Sequence, residues 1–426
     1  MGLLFLAIFI VLIMIGLPIG FAMGLVTICA FFSLGGAMEI IPTKLVIGMD
    51  NFTFLCIPLF ILASEIMNVT GITNRIVAFC TNLVGHIRGG LAHVNVLGSM
   101  LFAGLTGSAT ADAAGLGPIE IEMMERSGYP RDFSAAVTAS SAILGPIIPP
   151  SMNMVLYAVA AGNVSVVALF LGGIGPGIVI GLCLMGLCYF MSLKRNYPKT
   201  NRRATLKEIF TSFIETMPAL LMPLIIMGGV LGGIFTATES AAAAVLYSIV
   251  VGVFILKTIR FKDLYLPFLR AAKMTAAVMF IIAIAASMGW AVTVLRIPQN
   301  VSEFFMVYAN SKFAFLLLAN ILLLLIGLIM DLAPALLIMV PILTPTAMQL
   351  GIDPIHFGVM FVVNLCVGLI TPPVGMTLFV TSNVAKIPLA RMYQVIIPFA
   401  LIEFVALAII TYIPAVTTFI PRLLGF

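Results

Sequence analysis

Only two Pro-Pro pairs occur in this chain, Pro149-Pro150 and Pro372-Pro373, and they stand 223 residues apart. Gly145 and Gly368 are separated by the same interval, as are Ser108 and Asp331, and Ser64 and Ser287. The two halves otherwise share few residues, so what repeats is a set of backbone breaks. Proline donates no backbone hydrogen bond and disfavours helix in the residue before it. Two prolines after a glycine therefore predict about one unwound turn of helix, at the same place in each half. The chain around these breaks is 62% hydrophobic and 9% charged over 426 residues, with a mean hydropathy of +1.22. A soluble fold cannot enclose that much apolar surface, so the chain is predicted to be an all-α polytopic membrane protein. A repeat interrupted by Gly and Pro at corresponding positions points to a secondary transporter with a central binding site.

Charge sets the expected topology. The one clearly polar segment, Lys194 to Glu208, carries Lys194, Arg195, Lys199, Arg202, Arg203 and Lys207, which places it in the cytoplasm. It divides the chain into a first repeat, 1–192, a linker, 193–208, and a second repeat, 209–426. Counting forward, 213–236 leaves the cytoplasm and 238–256 returns. Lys257, Arg260, Lys262, Arg270 and Lys273 then lie inside on an interfacial helix, and 274–295 and 393–418 run outward. Counting backward, the spans 165–191, 133–160, 54–70, 20–36 and 3–16 put the N-terminus outside, and both termini are expected in the periplasm. Leu3–Ile15 reads as a retained span, with no small-residue cleavage site after it. This count leaves only Lys44, Arg296, Lys312 and Arg422 of the 21 Lys and Arg outside. One repeat starts outside and the other inside, so the repeat is inverted. The net charge of +5 is thus a topology signal, with no nucleic-acid partner implied.

Two stretches fit no simple span. Residues about 91–124 turn at Leu105–Asp112, and residues about 313–350 turn at Gly327–Pro334. In the first, arms of about 13 residues fall short of the ~20 needed to cross a membrane, so it is read as a re-entrant helical hairpin, and the second is read as its counterpart in the repeat. Each precedes a broken helix, at about 133–160 and about 355–385.

Unwound backbone within a membrane survives only where it is buried or lines a cavity. Its free carbonyls, with nearby hydroxyls or a carboxylate, are hard oxygen ligands suited to Na⁺, and the half-helix N-termini after a break suit an anion. Each hairpin tip beside its broken helix predicts one cation site, so at least two Na⁺ flank a central anion pocket. The first site draws on Thr106, Ser108, Gly145 and Pro149, and the second on Asp331, Gly368, Thr371 and Pro372, the Gly and Pro acting through carbonyl oxygens. Ser108, Thr110, Asn153, Asn364 and Thr377 are the substrate candidates, with Ser140 and Ser141 behind them. An Asp in the middle of a membrane helix costs about 2.5–3.5 kcal/mol, so Asp331 needs a partner. It reads either as a cation ligand or as a structural cap of the second hairpin arm. Asp112 is expected to cap the outgoing arm of the first hairpin, and Glu239 to sit at an outer span boundary. Glu65 lies near a span end. Glu403 reads as a snorkelling group, a contact for a neighbouring subunit, or part of transport. Trp290 is expected at the membrane interface.

The six cysteines lie mostly in apolar runs without a CxxC and read as buried reduced thiols. His86, His93 and His356 have no metal spacing. Neither HExxH nor GxxxxGK[ST] occurs, so neither zinc hydrolysis nor ATP hydrolysis is expected of this chain, and it is not read as an enzyme.

Gly104-Leu-Thr-Gly-Ser-Ala-Thr-Ala-Asp112, Gly145-Pro-Ile-Ile-Pro-Pro-Ser151, Thr236-Ala-Thr-Glu-Ser-Ala-Ala242 and Ile370-Thr-Pro-Pro-Val-Gly375 resemble the large membrane subunit of TRAP (tripartite ATP-independent periplasmic) transporters. The resemblance covers essentially the whole chain and is nearest the sialic acid branch. It implies an elevator fold of the ion-transporter-superfamily type in the bacterial inner membrane, driven by a Na⁺ gradient. It also implies a small four-helix membrane subunit, expected on a separate chain because this one opens at its first span, and a periplasmic binding protein that delivers the substrate. Carboxylates are the implied substrates, sialic acid or a C4-dicarboxylate. Carried over by position, the ion sites fall at Thr106–Ser108 with Gly145, and at Asp331 with Gly368 and Thr371. A stand-alone Na⁺/carboxylate symporter with the same hairpins is the alternative within this class. A channel is the alternative outside it, but no ring of like charge is present.

Overall fold

The structure, a computed structural model, describes residues 7–9, 11–13, 15–33, 39–162, 164–198, 203–308 and 311–426. Much of the expected first span, 3–16, and positions 199–202 of the linker, with Lys199 and Arg202, lie outside the described residues. No strand occurs among the described residues.

The first repeat comprises α1 (Ile19–Ser33), α2 (Ile40–Met49), a 3₁₀ turn Phe52–Leu55 leading into α3 (Cys56–Val69), and α4 (Ile72–Val84). The first hairpin follows as α5 (Gly90–Thr106), α6 (Ala109–Gly115) and α7 (Gly117–Arg126), then the broken helix as α8 (Arg131–Ala142) and α9 (Met152–Ala161), and then α10 (Val166–Lys194). The second repeat runs through α11 (Leu206–Leu231), α12 (Ala237–Val250), α13 (Tyr265–Val294) and α14 (Ile297–Tyr308). Its hairpin is α15 (Lys312–Gly327) and α16 (Leu332–Gln349), its broken helix α17 (Pro354–Gly368) and α18 (Met376–Ala385), and it closes with α19 (Leu389–Tyr412) and α20 (Ala415–Leu423).

The spacing of 223 carries into the fold. From the first hairpin onward, paired helices of the two repeats start within one residue of that offset: Ala109 and Leu332, Arg131 and Pro354, Met152 and Met376, Val166 and Leu389. The packing is reciprocal as well. Helix α9 of the first repeat lies against hairpin arm α16 of the second, and α18 of the second lies against α6 of the first. The pairs α8 with α19 and α17 with α10, and α3 with α12 and α13 with α1, repeat the exchange. Contacts that swap partners in this way are the signature of an approximate two-fold axis between the halves. The fold is the inverted repeat with two hairpins and two broken helices.

Hairpin arm α16 is mostly enclosed by protein, with 78% of its most apolar window buried, against 28% for α11. Helix α11 instead presents Leu206, Phe210, Ile214 and Leu224 outward, as a lipid-facing helix should. Both α11 and α12 begin with a capping box. The Thr205 hydroxyl accepts from the Glu208 N–H at 3.3 Å and the Glu208 carboxylate accepts from the Thr205 N–H at 2.7 Å; Thr236 and Glu239 do the same at 3.2 and 2.8 Å. Glu239 is therefore a helix-start residue that satisfies free backbone donors.

Several expectations are corrected. The break after α8 spans residues 143–151 and exceeds one turn, because Ser151 must reach past both prolines to cap α9: its hydroxyl donates to the Pro146 carbonyl at 2.5 Å and accepts from the Met154 N–H at 3.3 Å. Both Pro-Pro bonds are cis. Arg270 and Lys273 lie within the continuous α13, so no separate interfacial helix carries them. The last span ends at Tyr412, and α20 is a separate helix held by a His356 Nδ1–Thr417 hydroxyl contact of 2.8 Å. Glu403 is fully buried within the chain, where it can neither snorkel nor meet another subunit. Cys29 is exposed rather than buried.

Candidate functional site

Helix α5 stops where Gly107 adopts φ +61°, a left-handed conformation that glycine takes without the penalty a side chain brings. The chain turns through 120° into α6. Ser108 is the N-cap of α6. Its hydroxyl accepts from the Ala111 N–H at 3.5 Å and lies 3.2 Å from the Thr110 hydroxyl.

This tip is pressed into the first break. A side-chain carbon placed on Gly107 would fall 3.3 Å from the Pro150 carbonyl oxygen, and one on Gly145 would fall 3.0 Å from the Ser108 carbonyl oxygen. A carbon on Gly104 would lie 3.4 Å from the Pro149 carbonyl oxygen. Asn153, on α9, donates to the Gly107 carbonyl at 3.5 Å. Thr106, Ser108, Gly145, Pro149 and Asn153 are thus drawn together from two segments. The Thr106 hydroxyl is buried without a hydrogen-bond partner among the described residues. Carbonyl and hydroxyl oxygens dominate this tip, a donor set that fits a hard cation such as Na⁺.

The second tip is built alike with one change. Asp331 caps α16, its carboxylate accepting from the Leu332 N–H at 2.9 Å. The cap reading is borne out geometrically, and it leaves the second carboxylate oxygen available to a ligand. Tip and break meet backbone to backbone: a carbon on Gly368 would lie 2.7 Å from the Gly327 Cα. Thr371 donates its hydroxyl to the Val367 carbonyl at 2.7 Å, and its N–H to the Gly368 carbonyl at 3.1 Å. Pro372 follows within the break, and the Tyr393 hydroxyl donates to the Pro373 carbonyl.

Asn364 and Thr377 are placed differently from the tip residues. Both are fully enclosed, and the Asn364 side chain is tied to Asn320 at 2.6 Å. The Thr377 hydroxyl and the Asn364 carbonyl oxygen have no hydrogen-bond partner among the described residues.

A cleft opens at the first tip. Thr106, Gly107, Ser108 and Pro150 line it from the hairpin side, and Ser64, Glu65, Met222 and Met274 from the other repeat elements. A second recess adjoins it, bounded by Glu65, Asn68, Thr73, Thr110 and Arg270. Asn153, Asn364 and Thr377 line neither. Arg270 stands 4.0 Å from Glu65 with more than half its side chain exposed. Sequence reading assigned Glu65 and Arg270 to a span end and a cytoplasmic surface. Only the tertiary fold, which brings α3 beside α13, places them next to the tip. The interval linking Ser64 to Ser287 was the one available signal that the Glu65 region belongs to the repeated framework.

Residues 6–416 match the family described as Tripartite ATP-independent periplasmic transporter, DctM component. The chain is 40% identical over 422 residues to the sialic acid TRAP transporter large permease protein SiaM of Vibrio cholerae, with 97% of each chain covered. It is 42% identical over 382 residues to the C4-dicarboxylate TRAP transporter large permease protein DctM of Pseudomonas aeruginosa, covering 90% of this chain and 89% of that one. Among solved structures, the YdaH transporter of Alcanivorax borkumensis superimposes with a TM-score of 0.64 at 14% identity, over 88% of both chains, which speaks for the fold alone. With the family matched along nearly its whole length, this chain belongs to the DctM component family of TRAP transporters and is a multi-pass large permease subunit.

Proposed function

We propose that this subunit imports a carboxylate, sialic acid in the first instance, across the bacterial inner membrane by Na⁺ symport. The observation that carries the reading is the insertion of the Ser108 tip into the Gly145–Ser151 break beside a cleft whose adjoining recess is bounded by Arg270. Oxygen ligands suited to Na⁺ then sit next to a guanidinium suited to a carboxylate. In this reading the two tips hold at least two Na⁺, and the hairpins with their broken helices move as one body against the remaining helices. A small four-helix subunit braces the latter, and a periplasmic binding protein delivers the substrate to a chain whose termini are periplasmic. Relatives named for sialic acid and for C4-dicarboxylates both align nearly end to end, so a C4-dicarboxylate is the second substrate to try. The stand-alone symporter remains the competing mechanism.

The test is uptake of radiolabelled sialic acid into proteoliposomes holding this chain with its small subunit. Uptake requiring both an inward Na⁺ gradient and the binding protein is the expected result. Uptake without the binding protein supports the stand-alone symporter. Uptake indifferent to the Na⁺ gradient overturns the proposal.

Two variants probe the site. Ser108→Ala removes one oxygen at the first tip and is expected to raise the Na⁺ concentration for half-maximal uptake by about 3- to 10-fold, in line with ~0.5–1.5 kcal/mol for one contact; an unchanged Na⁺ curve removes Ser108 from the ion site. Arg270→Lys keeps the charge but loses the forked geometry. It is expected to raise the half-saturating substrate concentration while leaving the Na⁺ curve in place, and a shift in both would assign Arg270 a structural role instead.

A further inference from the structure

Behind the first hairpin lies a polar cluster that the tip-and-break sites do not use. Asn95 and Ser99 of α5, Asp112 of α6, Glu120 of α7, and Thr138 and Ser141 of α8 are all 0–1% exposed. The neutral members satisfy one another. Asn95 donates to the Thr138 hydroxyl at 2.7 Å and accepts from the Ser141 hydroxyl at 2.7 Å, and the Ser99 hydroxyl donates to Ser141 at 3.1 Å. The two carboxylates are poorly satisfied: Glu120 has no hydrogen-bond partner among the described residues, and the Ser99 hydroxyl is the one group that reaches Asp112. Asp112 is not the helix cap it was expected to be, since Ser108 holds that position.

The acids are specific to the first repeat, and of the six cluster positions only Ser141 corresponds to a polar residue, Asn364. At the offset of 223, Asn95, Ser99, Asp112, Glu120 and Thr138 correspond to Leu318, Leu322, Ala335, Leu343 and Phe361. The second hairpin thus packs without acids at these positions, so the scaffold does not need them. Glu120 is also given room on purpose: a side-chain carbon on Gly98 would fall 2.8 Å from its Oε1. The equivalent of Gly98 is Ile321.

Carboxylates are acceptors only, and enclosed ones are paired or coordinate metal. A proton on Glu120 would create a donor, and Glu120 has no hydrogen-bonding partner among the described residues to receive it. A hard metal cation bound by both would satisfy them together. We propose that Asp112 and Glu120 form a metal-cation site inside the first hairpin, distinct from the two tip sites, that takes an oxygen-preferring ion of the Na⁺ or Ca²⁺ class. The Ser99 hydroxyl, beside Asp112, supplies a neutral oxygen to the same site. The inference does not depend on which substrate is carried.

The test is thermal unfolding of the purified complex in K⁺ buffer with chelator, then with added Na⁺ or Ca²⁺ in separate arms. Wild type, Glu120→Gln, Asp112→Asn and Gly98→Ala are compared. In the chelated K⁺ buffer the Gln and Asn variants are expected to unfold at or above the wild-type temperature, because an uncompensated buried charge is gone. With the correct ion, wild type is expected to gain and overtake them. Gly98→Ala keeps both acids but displaces Glu120, and is expected to need a several-fold higher ion concentration for the same gain. The arm in which the order reverses identifies the ion. Parallel responses of wild type and variants to both ions would overturn the site. So would an infrared band of a protonated carboxyl, present in saturating Na⁺ and Ca²⁺ and lost in Glu120→Gln.

Discussion

Asp331→Ala is expected to abolish uptake while the subunit still inserts and assembles. Asp331 starts α16 and holds the Leu332 N–H at 2.9 Å, so alanine removes a cap as well as a charge. Cap loss alone is of order 0.5–2 kcal/mol. The asparagine variant separates the two contributions, since Asn caps about as well as Asp. Asp331→Asn is expected to keep the wild-type unfolding temperature and still lose uptake, by about 10- to 100-fold for a charge-assisted contact of ~1.5–3 kcal/mol. Wild-type transport by Asp331→Asn would reduce the residue to a helix cap. The measurement is initial uptake rate against Na⁺ concentration, with complex integrity followed by size-exclusion chromatography.

Gly368→Ala should fail for a different reason. The second tip and its broken helix touch through main-chain atoms, and the added carbon would sit 2.7 Å from the Gly327 Cα and 2.8 Å from its carbonyl carbon. No flexible side chain is available to give way, so two backbones must separate. Overpacking of this kind costs about 1–3 kcal/mol, and here it also pulls the Gly368 carbonyl away from the tip. Loss of uptake together with a lower unfolding temperature is the expected pair of results. Gly228→Ala, on α11 with open space at its side-chain position, is the control and is expected to leave both unchanged or to raise the unfolding temperature slightly. A Gly368→Ala protein indistinguishable from that control would show that the tip does not need its close seat.

Prolines and glycines made much of this fold legible. They fix backbone conformation whatever surrounds them, which is why the breaks after Ala142 and Gly368 and the tips at Gly107 and Leu328–Asp331 stand where the sequence marks them. Helices such as α4 and α14 escaped because they are too short for a span. The polar Thr73, Asn74 and Arg75 also disguise the apolar spacing of Ile72, Ile76, Val77 and Cys80, which the fold buries. Arg270 and Lys273 read as the edge of a membrane span, yet α13 runs straight through them, since long basic side chains can reach polar surroundings from inside a helix. Tertiary pairings were invisible in principle. Glu65 and Arg270 are far apart in sequence, and Asp112 and Glu120 are telling only because the fold encloses them both and leaves Glu120 without a partner among the described residues.

The shared cap position, serine in one repeat and aspartate in the other, has an electrical consequence. Under the proposed occupancy, a Na⁺ at Ser108 adds one positive charge and a Na⁺ at Asp331 cancels one negative charge. With a singly charged carboxylate aboard, the two tips and their cargo sum to zero; emptied, they carry minus one. A membrane potential, at about 2.3 kcal/mol per charge per 100 mV, would then act less on the loaded tips than on the empty ones. In the proposed cycle it would favour the vacant return, pushing the negatively charged tips outward from a negative interior. On that proposal, voltage would favour the reset and the ion gradient the loading.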